Sequence, residues 1–185
     1  MKIFGFDMDG VIIDHTMPKI LLAAKRGFVL KPEQTVSSLI RNYIPGPILH
    51  EIQHELYDDP NYALQSPMLD GALAGLSAVK ESKMPFYLIS RRQNAAVAKE
   101  LLKKHDLWPL YFNEANAFFV KDPIDKETEA RRLGVTHYVD DEIRILDVLA
   151  SVKNKYLFDQ HGVFSDTPAF SRVKTWDELL RKLLD

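Results

Sequence analysis

Phe4-Gly5-Phe6-Asp7-Met8-Asp9-Gly10-Val11-Ile12-Ile13-Asp14 is the stretch from which the rest of the chain can be read. From Lys2 to Asp7 it crowds Ile3, Phe4 and Phe6 together, which predicts a short buried strand that the chain leaves through two carboxylates and a turn glycine. Further short apolar runs follow at Phe86 to Ile89, Ala117 to Val120, Thr136 to Asp140 and Lys155 to Phe158. Helical patterns separate them. Asp70 is placed to cap a helix from Gly71 to about Lys83, and Ala96, Val97, Leu101 and Leu102 form the apolar stripe of a helix over roughly 94–105. A helix from about Ile124 to Leu133 stops at Gly134, another spans Ile143 to Val152, and Thr175 with Glu178 form a capping box opening a last one. The loop from Asp159 to Ser171 carries no pattern.

Strand and helix alternating in this way predict an α/β fold: a Rossmann-like three-layer sandwich with a mainly parallel central sheet and right-handed crossovers. One segment breaks the alternation. Residues 14–69 are helical in pattern and punctuated by Pro18, Pro32, Pro45, Pro47, Pro60 and Pro67, so they read as several short helices forming a small helical module inserted after the first strand. The expected division is a core of 1–13 and 70–185 interrupted by an insertion of 14–69.

The chain's 185 residues hold 24 Lys plus Arg against 26 Asp plus Glu, a formal charge of -2, and no cysteine. Near neutrality argues against a nucleic acid polymer or an anionic membrane as partner. Without cysteine, any nucleophile or metal ligand must be oxygen or imidazole. No apolar run reaches a membrane span or the core of a signal peptide, so a cytoplasmic protein is the expectation.

Ligands of such sheets bind outside the carboxyl ends of the strands. The residues there are Asp7 and Asp9 after the first strand, Ser90 after the second, Lys121 after the third, and Asp140 with Asp141 at the end of the fourth. One strand ending in a carboxylate is commonplace. Three ending in Asp-x-Asp, Ser and Asp-Asp form a pattern.

That pattern resembles the haloacid dehalogenase (HAD) superfamily. Asp7-Met8-Asp9-Gly10 after its apolar strand is similar to motif one, Tyr87-Leu88-Ile89-Ser90 to motif two, and His137-Tyr138-Val139-Asp140-Asp141 to an acidic form of motif four. The resemblance runs the length of the chain except 14–69, which matches only in position, where members carry a cap. It implies a Mg²⁺-dependent phosphohydrolase in which Asp7 attacks phosphorus and ligates the metal. Asp9 would protonate the leaving oxygen, later activate water, and lend its carbonyl to the metal. Ser90 would bind a phosphoryl oxygen, although it could equally be an ordinary helix N-cap. Either Lys121 or Lys126 would supply the phosphate-binding cation, and the short spacing to Asp140 favours Lys126. Of the acidic pair, Asp141 is expected to touch Mg²⁺ directly and Asp140 through water.

Elementary chemistry agrees with these residue types. A carboxylate can attack a phosphate dianion only when cations neutralise both, and Mg²⁺ takes oxygen ligands. Retaining Asp9 argues against a dehalogenase, which has no leaving oxygen to protonate. Arg91 and Arg92 follow Ser90, and one of them is a candidate for gripping a phosphate or a substrate carboxylate. The expected partner is a small phosphate ester of the nucleotide or sugar phosphate class, with a phosphomutase as the alternative and a non-catalytic binding protein as a more distant one.

His50-Glu51-Ile52-Gln53-His54 satisfies the H-E-x-x-H pattern of zinc peptidases. Pro45 and Pro47 shorten its helix and no third ligand is evident, so substrate contact by cap residues such as these histidines and Tyr43 is the preferred expectation.

Overall fold

The computed structural model describes residues 1–184. Six strands, β1 (Phe4–Phe6), β2 (Phe86–Arg91), β3 (Ala117–Val120), β4 (His137–Asp140), β5 (Asn154–Phe158) and β6 (Ser171–Val173), form one sheet in the order β3-β2-β1-β4-β5-β6. Every pairing is parallel, with Phe4 opposite Phe86 on one side of β1 and His137 on the other. The central strand is buried on both faces, which is why it reads as a continuous apolar run rather than an alternating one. The order reverses between β1 and β4, the switch point at which such sheets open a crevice.

Helices α1 (Thr16–Ala24), α2 (Gly46–Asp58) and α3 (Pro60–Ala63) lie between β1 and β2 in sequence, followed by α4 (Ala72–Glu81). The later helices are α5 (Ala95–Lys104), α6 (Pro123–Leu133), α7 (Ile143–Val148) and α8 (Trp176–Leu184). Two apolar clusters pack against the sheet. One includes Phe4, Phe6, Leu76 and Trp176, the other Ile89, Tyr138, Ile145 and Leu157. A third cluster, with Leu22, Ile40, Ile44, Leu49, Ile52 and Leu56, belongs to the segment between β1 and α4. That segment's entry and exit run side by side: Asp14 N donates to Pro67 O (2.8 Å) and Leu69 N to Ile12 O (2.8 Å).

Several sequence expectations need correction. Asp70 caps nothing: it is exposed, and Gly71, with φ 80°, occupies the N-cap of α4 without a side-chain bond. β2 runs on through Ser90 to Arg91, and α5 starts only after Asn94, whose side chain accepts from Val97 N (3.4 Å). Ser90 is therefore not a helix cap. α7 stops at Val148 rather than Val152. The unplaced loop ends in β6, a three-residue edge strand held by Tyr156 opposite Ser171 and Phe158 opposite Val173. At the last helix Glu178 N donates to Thr175 Oγ1 (3.2 Å), but the Glu178 carboxylate accepts from Lys174 N (2.7 Å) instead of closing the box on Thr175. No described helix is long and apolar enough to cross a membrane.

Candidate active site

The carboxyl ends of β1 and β4 bring the acidic residues together at the switch point. Asp7 N donates to Val139 O (3.0 Å), prolonging the β1–β4 pairing by one residue and fixing Asp7 beside Asp140. Gly10 then turns the chain with φ 73°, and a side chain there would collide with Asp141, since a Cβ would fall 2.5 Å from its carboxyl carbon. Glycine thus lets Asp141 lie against the loop that carries Asp9. Behind this loop Trp176 Nε1 donates to Val11 O (2.8 Å) while its ring stacks on Phe6 at 5.6 Å.

Carboxylate oxygens of Asp7, Asp140 and Asp141 lie within 4.8 Å of one another, the one group of three potential ligand residues among the described residues. Lys126 enters from α6, whose start is fixed by reciprocal bonds between Asp122 and Asp125 and by Pro123. Its ammonium is buried, hydrogen-bonds Asp140 Oδ2 at 2.7 Å and stands 3.0 Å from Asp7 Oδ1. Burial works against the Lys126 charge, but Asp140 and Asp7 outweigh it and hold the group well above its ordinary value. One cation cannot balance three acids. Burial, with the surrounding negative charge, pushes Asp140 up to about 7 despite Lys126, and drives Asp141 well above the carboxylate range.

Such a surplus of buried negative charge with all-oxygen donors fits a hard divalent cation of the Mg²⁺ type. Ser90 Oγ and Arg92 Nε are buried without a hydrogen-bond partner of good geometry, and Asp7 Oδ1, although 3.0 Å from the Lys126 ammonium, makes no well-aligned bond to it. Buried polar groups left unpaired are costly and are concentrated where a ligand completes them.

Asp9 is arranged differently. Arg92 Nη2 and His15 Nε2 both reach its Oδ1 at 2.6 Å. Burial pushes the Asp9 carboxyl upward, yet Arg92 and His15 overcome it and hold the group well below the ordinary carboxylate range. His15 Nδ1 is tied to Ser66 Oγ (2.9 Å), Arg92 Nη1 donates to Tyr57 O (3.1 Å), and the guanidinium lies over the Tyr57 ring at 4.6 Å.

Asp7, Asp9, His15, Tyr57, Arg92, Lys126 and Asp141 line a cleft of about 470 Å³, within the usual range for small-molecule sites, while Asp140 and Ser90 are fully buried. Its floor is Asp7, Asp9, Lys126 and Asp141. The opposite wall comes from the segment before α4: Lys19 of α1, Arg41, and His50, Gln53, His54 and Tyr57 of α2. The last four recur at helical spacing on the face beside the buried Leu49, Ile52 and Leu56, and Tyr57 also packs against that apolar cluster.

The candidate cations separate by position. Lys126 is at the centre, whereas Lys121 is exposed at the end of β3 and lines the rim with Arg91, exposed at the end of β2. Arg92, not Arg91, turns inward and is buried, but it grips Asp9 rather than standing free. The H-E-x-x-H pattern does not assemble a metal group: His50 and His54 face the cleft, while Glu51 points to Arg26 Nε at 3.3 Å. Tyr43 is exposed and does not line the cleft, a place taken by Tyr57. His15, Lys19 and Tyr57 also line the cleft; all three come from 14–69, outside the strand ends at which site residues are legible in the sequence.

No protein-family model matches the chain, and no curated protein sequence does. Solved structures match over nearly the whole length. A HAD family hydrolase from Deinococcus radiodurans R1, determined with bound phosphate and sodium, is 18% identical and superposes with TM-score 0.65, covering 97% of this chain and 93% of its own. A HAD hydrolase of family IA, variant 3, from Entamoeba histolytica gives 17% and 0.63, covering 96% of this chain and 95% of its own. A provisionally assigned β-phosphoglucomutase from Thermotoga maritima gives 19% and 0.65, covering 100% and 99%. The chain therefore has the fold of HAD-type hydrolases.

Proposed function

We propose that this protein is a Mg²⁺-dependent phosphohydrolase of small phosphorylated metabolites, of the nucleotide or sugar phosphate class, acting through an aspartyl-phosphate on Asp7. The observation that carries the reading is the convergence of Asp7, Lys126 and Asp141 on one cleft at the switch point, with the buried Asp140 bonded to Lys126 and the buried Ser90 near the end of the neighbouring β2.

Asp7, Asp140 and Asp141 would hold Mg²⁺, which when bound screens the charge of nucleophile and phosphate. Lys126 keeps Asp7 oriented and offsets the charge gathering on the phosphoryl oxygens. Ser90 Oγ donates to one of those oxygens. Arg92 and His15 keep Asp9 ionised in the free site, so the proton it gives to the leaving ester oxygen is one taken up as the phosphate dianion binds beside it and opposes those donors. Asp7 attacks phosphorus as that oxygen leaves, and Asp9 then takes a proton from the water that releases phosphate. Residues 14–69 act as the cap, with Arg41, His50, Gln53 and His54 facing the leaving group. A phosphomutase is the second reading, favoured by the likeness to the T. maritima protein and differing only in which hydroxyl receives the phosphoryl group.

Asp7→Asn with a panel of phosphate esters, with and without Mg²⁺, tests this. Activity that is abolished in the variant and requires the metal supports the proposal. Undiminished hydrolysis by Asp7→Asn defeats it.

A further inference from the structure

Two donors share one oxygen of Asp9. Arg92 Nη2 and His15 Nε2 both lie 2.6 Å from Oδ1, and the structure gives Oδ2 no such bond. Each donor is itself braced. His15 is nearly buried, bonded through its other nitrogen to Ser66 Oγ and set edge-on to Tyr57 at 5.3 Å. Arg92 is equally buried, and its second amino group holds the backbone carbonyl of Tyr57, on the α2 wall of the cleft. With both ends fixed, the carboxylate cannot rotate without breaking two charge-assisted bonds.

We infer that Arg92 and His15 are positioning residues that pin Asp9 Oδ1 and thereby aim Oδ2 at the water that hydrolyses the aspartyl-phosphate. The inference rests on the phosphohydrolase reading. In that step a water O–H gives its proton to Oδ2 while its oxygen bonds phosphorus. The bond between phosphorus and the Asp7 oxygen breaks, and its electron pair returns to the Asp7 carboxylate. Oδ2 serves because Oδ1 already accepts two bonds. Arg92 also makes that aim depend on the cap, since it is anchored to Tyr57 O: the base is in register only while α2 is seated over the cleft.

The kinetic signature differs from that of a merely structural residue. With p-nitrophenyl phosphate the leaving group departs without a proton, so Asp7 still becomes phosphorylated when Asp9 is misaimed. Arg92→Met is expected to show a burst of about one equivalent of nitrophenol followed by a steady rate lowered roughly 100-fold, the usual contribution of a general base. Arg92→Lys, which retains a donor for Oδ1, should recover part of the steady rate, and His15→Phe should reproduce the burst should Arg92→Met not fold. Burst and steady phases falling together in both Arg92→Met and His15→Phe would overturn the inference. A crystal structure of either variant decides independently of turnover: Asp9 swung away from the cleft supports the pinning, and an unmoved Asp9 overturns it. Failure of the phosphohydrolase reading would be seen separately, as ester turnover that survives Asp7→Asn.

Discussion

Lys126→Met keeps the length of the side chain and removes its charge, so it isolates what the ammonium does between Asp7 and Asp140. At separations of 3.0 and 2.7 Å, and with an effective dielectric of about 20, each attraction amounts to about 5–6 kcal/mol. Most of that is offset by the cost of taking the ammonium and the carboxylates out of water. What remains on removing one partner is the uncompensated buried charge, typically about 3–5 kcal/mol, or about 10 °C in Tm for a chain of this size. The carboxylates have an escape, because they can bind protons. Asp140 already stands at about 7 in the presence of Lys126, through burial, and without the cation it goes higher. A carboxylate with a raised folded pKa binds protons more tightly folded than unfolded. Its stability is therefore fully present below the unfolded value near 4 and is lost as pH rises through the folded one. The penalty of Lys126→Met should be largest at pH 8 and shrink toward pH 5, as read from urea melts without added metal. Phosphatase kcat should fall by about 10²–10³. A variant within about 1 kcal/mol of wild type at pH 8, or one whose penalty grows on acidification, refutes the view of Lys126 as the buried countercharge.

Gly75→Ala should destabilise by about 1–3 kcal/mol in urea melts, despite alanine's better helix propensity. A Cβ there would meet Trp176 Cε3 at 2.2 Å and Cζ3 at 2.8 Å, and the ring is hemmed in by Phe6 and Phe158; an unchanged melt would mean that Trp176 can retreat. Burial, with Lys2 nearby, lowers the pKa of His137, so the unfolded chain binds the proton more readily. Its contribution to stability is present above the unfolded value near 6.5 and is lost as pH falls from there through the lower folded value, and His137→Gln should flatten the pH 5–7 slope of Tm, whereas an unaltered slope would exonerate this residue. His50→Ala and His54→Ala lie on the cleft face of α2, away from its buried stripe; melts should stay within about 0.5 kcal/mol while KM for preferred esters rises, and a KM unchanged for every ester would remove α2 from substrate recognition.

The contrast between what sequence revealed and what it withheld follows from where each residue's determinants lie. Asp7, Asp140 and Ser90 are legible because each ends or sits within a short apolar run, and a parallel sheet delivers all such ends to one edge. Spacing to Asp140 favours Lys126 over Lys121, and depth separates them: both follow β3, but α6 buries the first while the second stays exposed at the rim. β6 went unread because Ser171-Arg172-Val173 has no apolar run of its own and is a strand only through its bonds to β5. The pair on Asp9 is the instructive omission. His15 and Arg92 are 77 positions apart in sequence, and neither neighbourhood hints at the other. Arg91 and Arg92 could be weighed only as a pair at a supposed helix start, where either might face a ligand. The extension of β2 through Arg91 settles their orientation by the alternation of strand side chains: Ser90 and Arg92 are buried, Arg91 between them is exposed. A one-residue error in a strand's end therefore exchanges the inward arginine for the outward one, and with it the difference between a residue that grips Asp9 and one that waits at the rim.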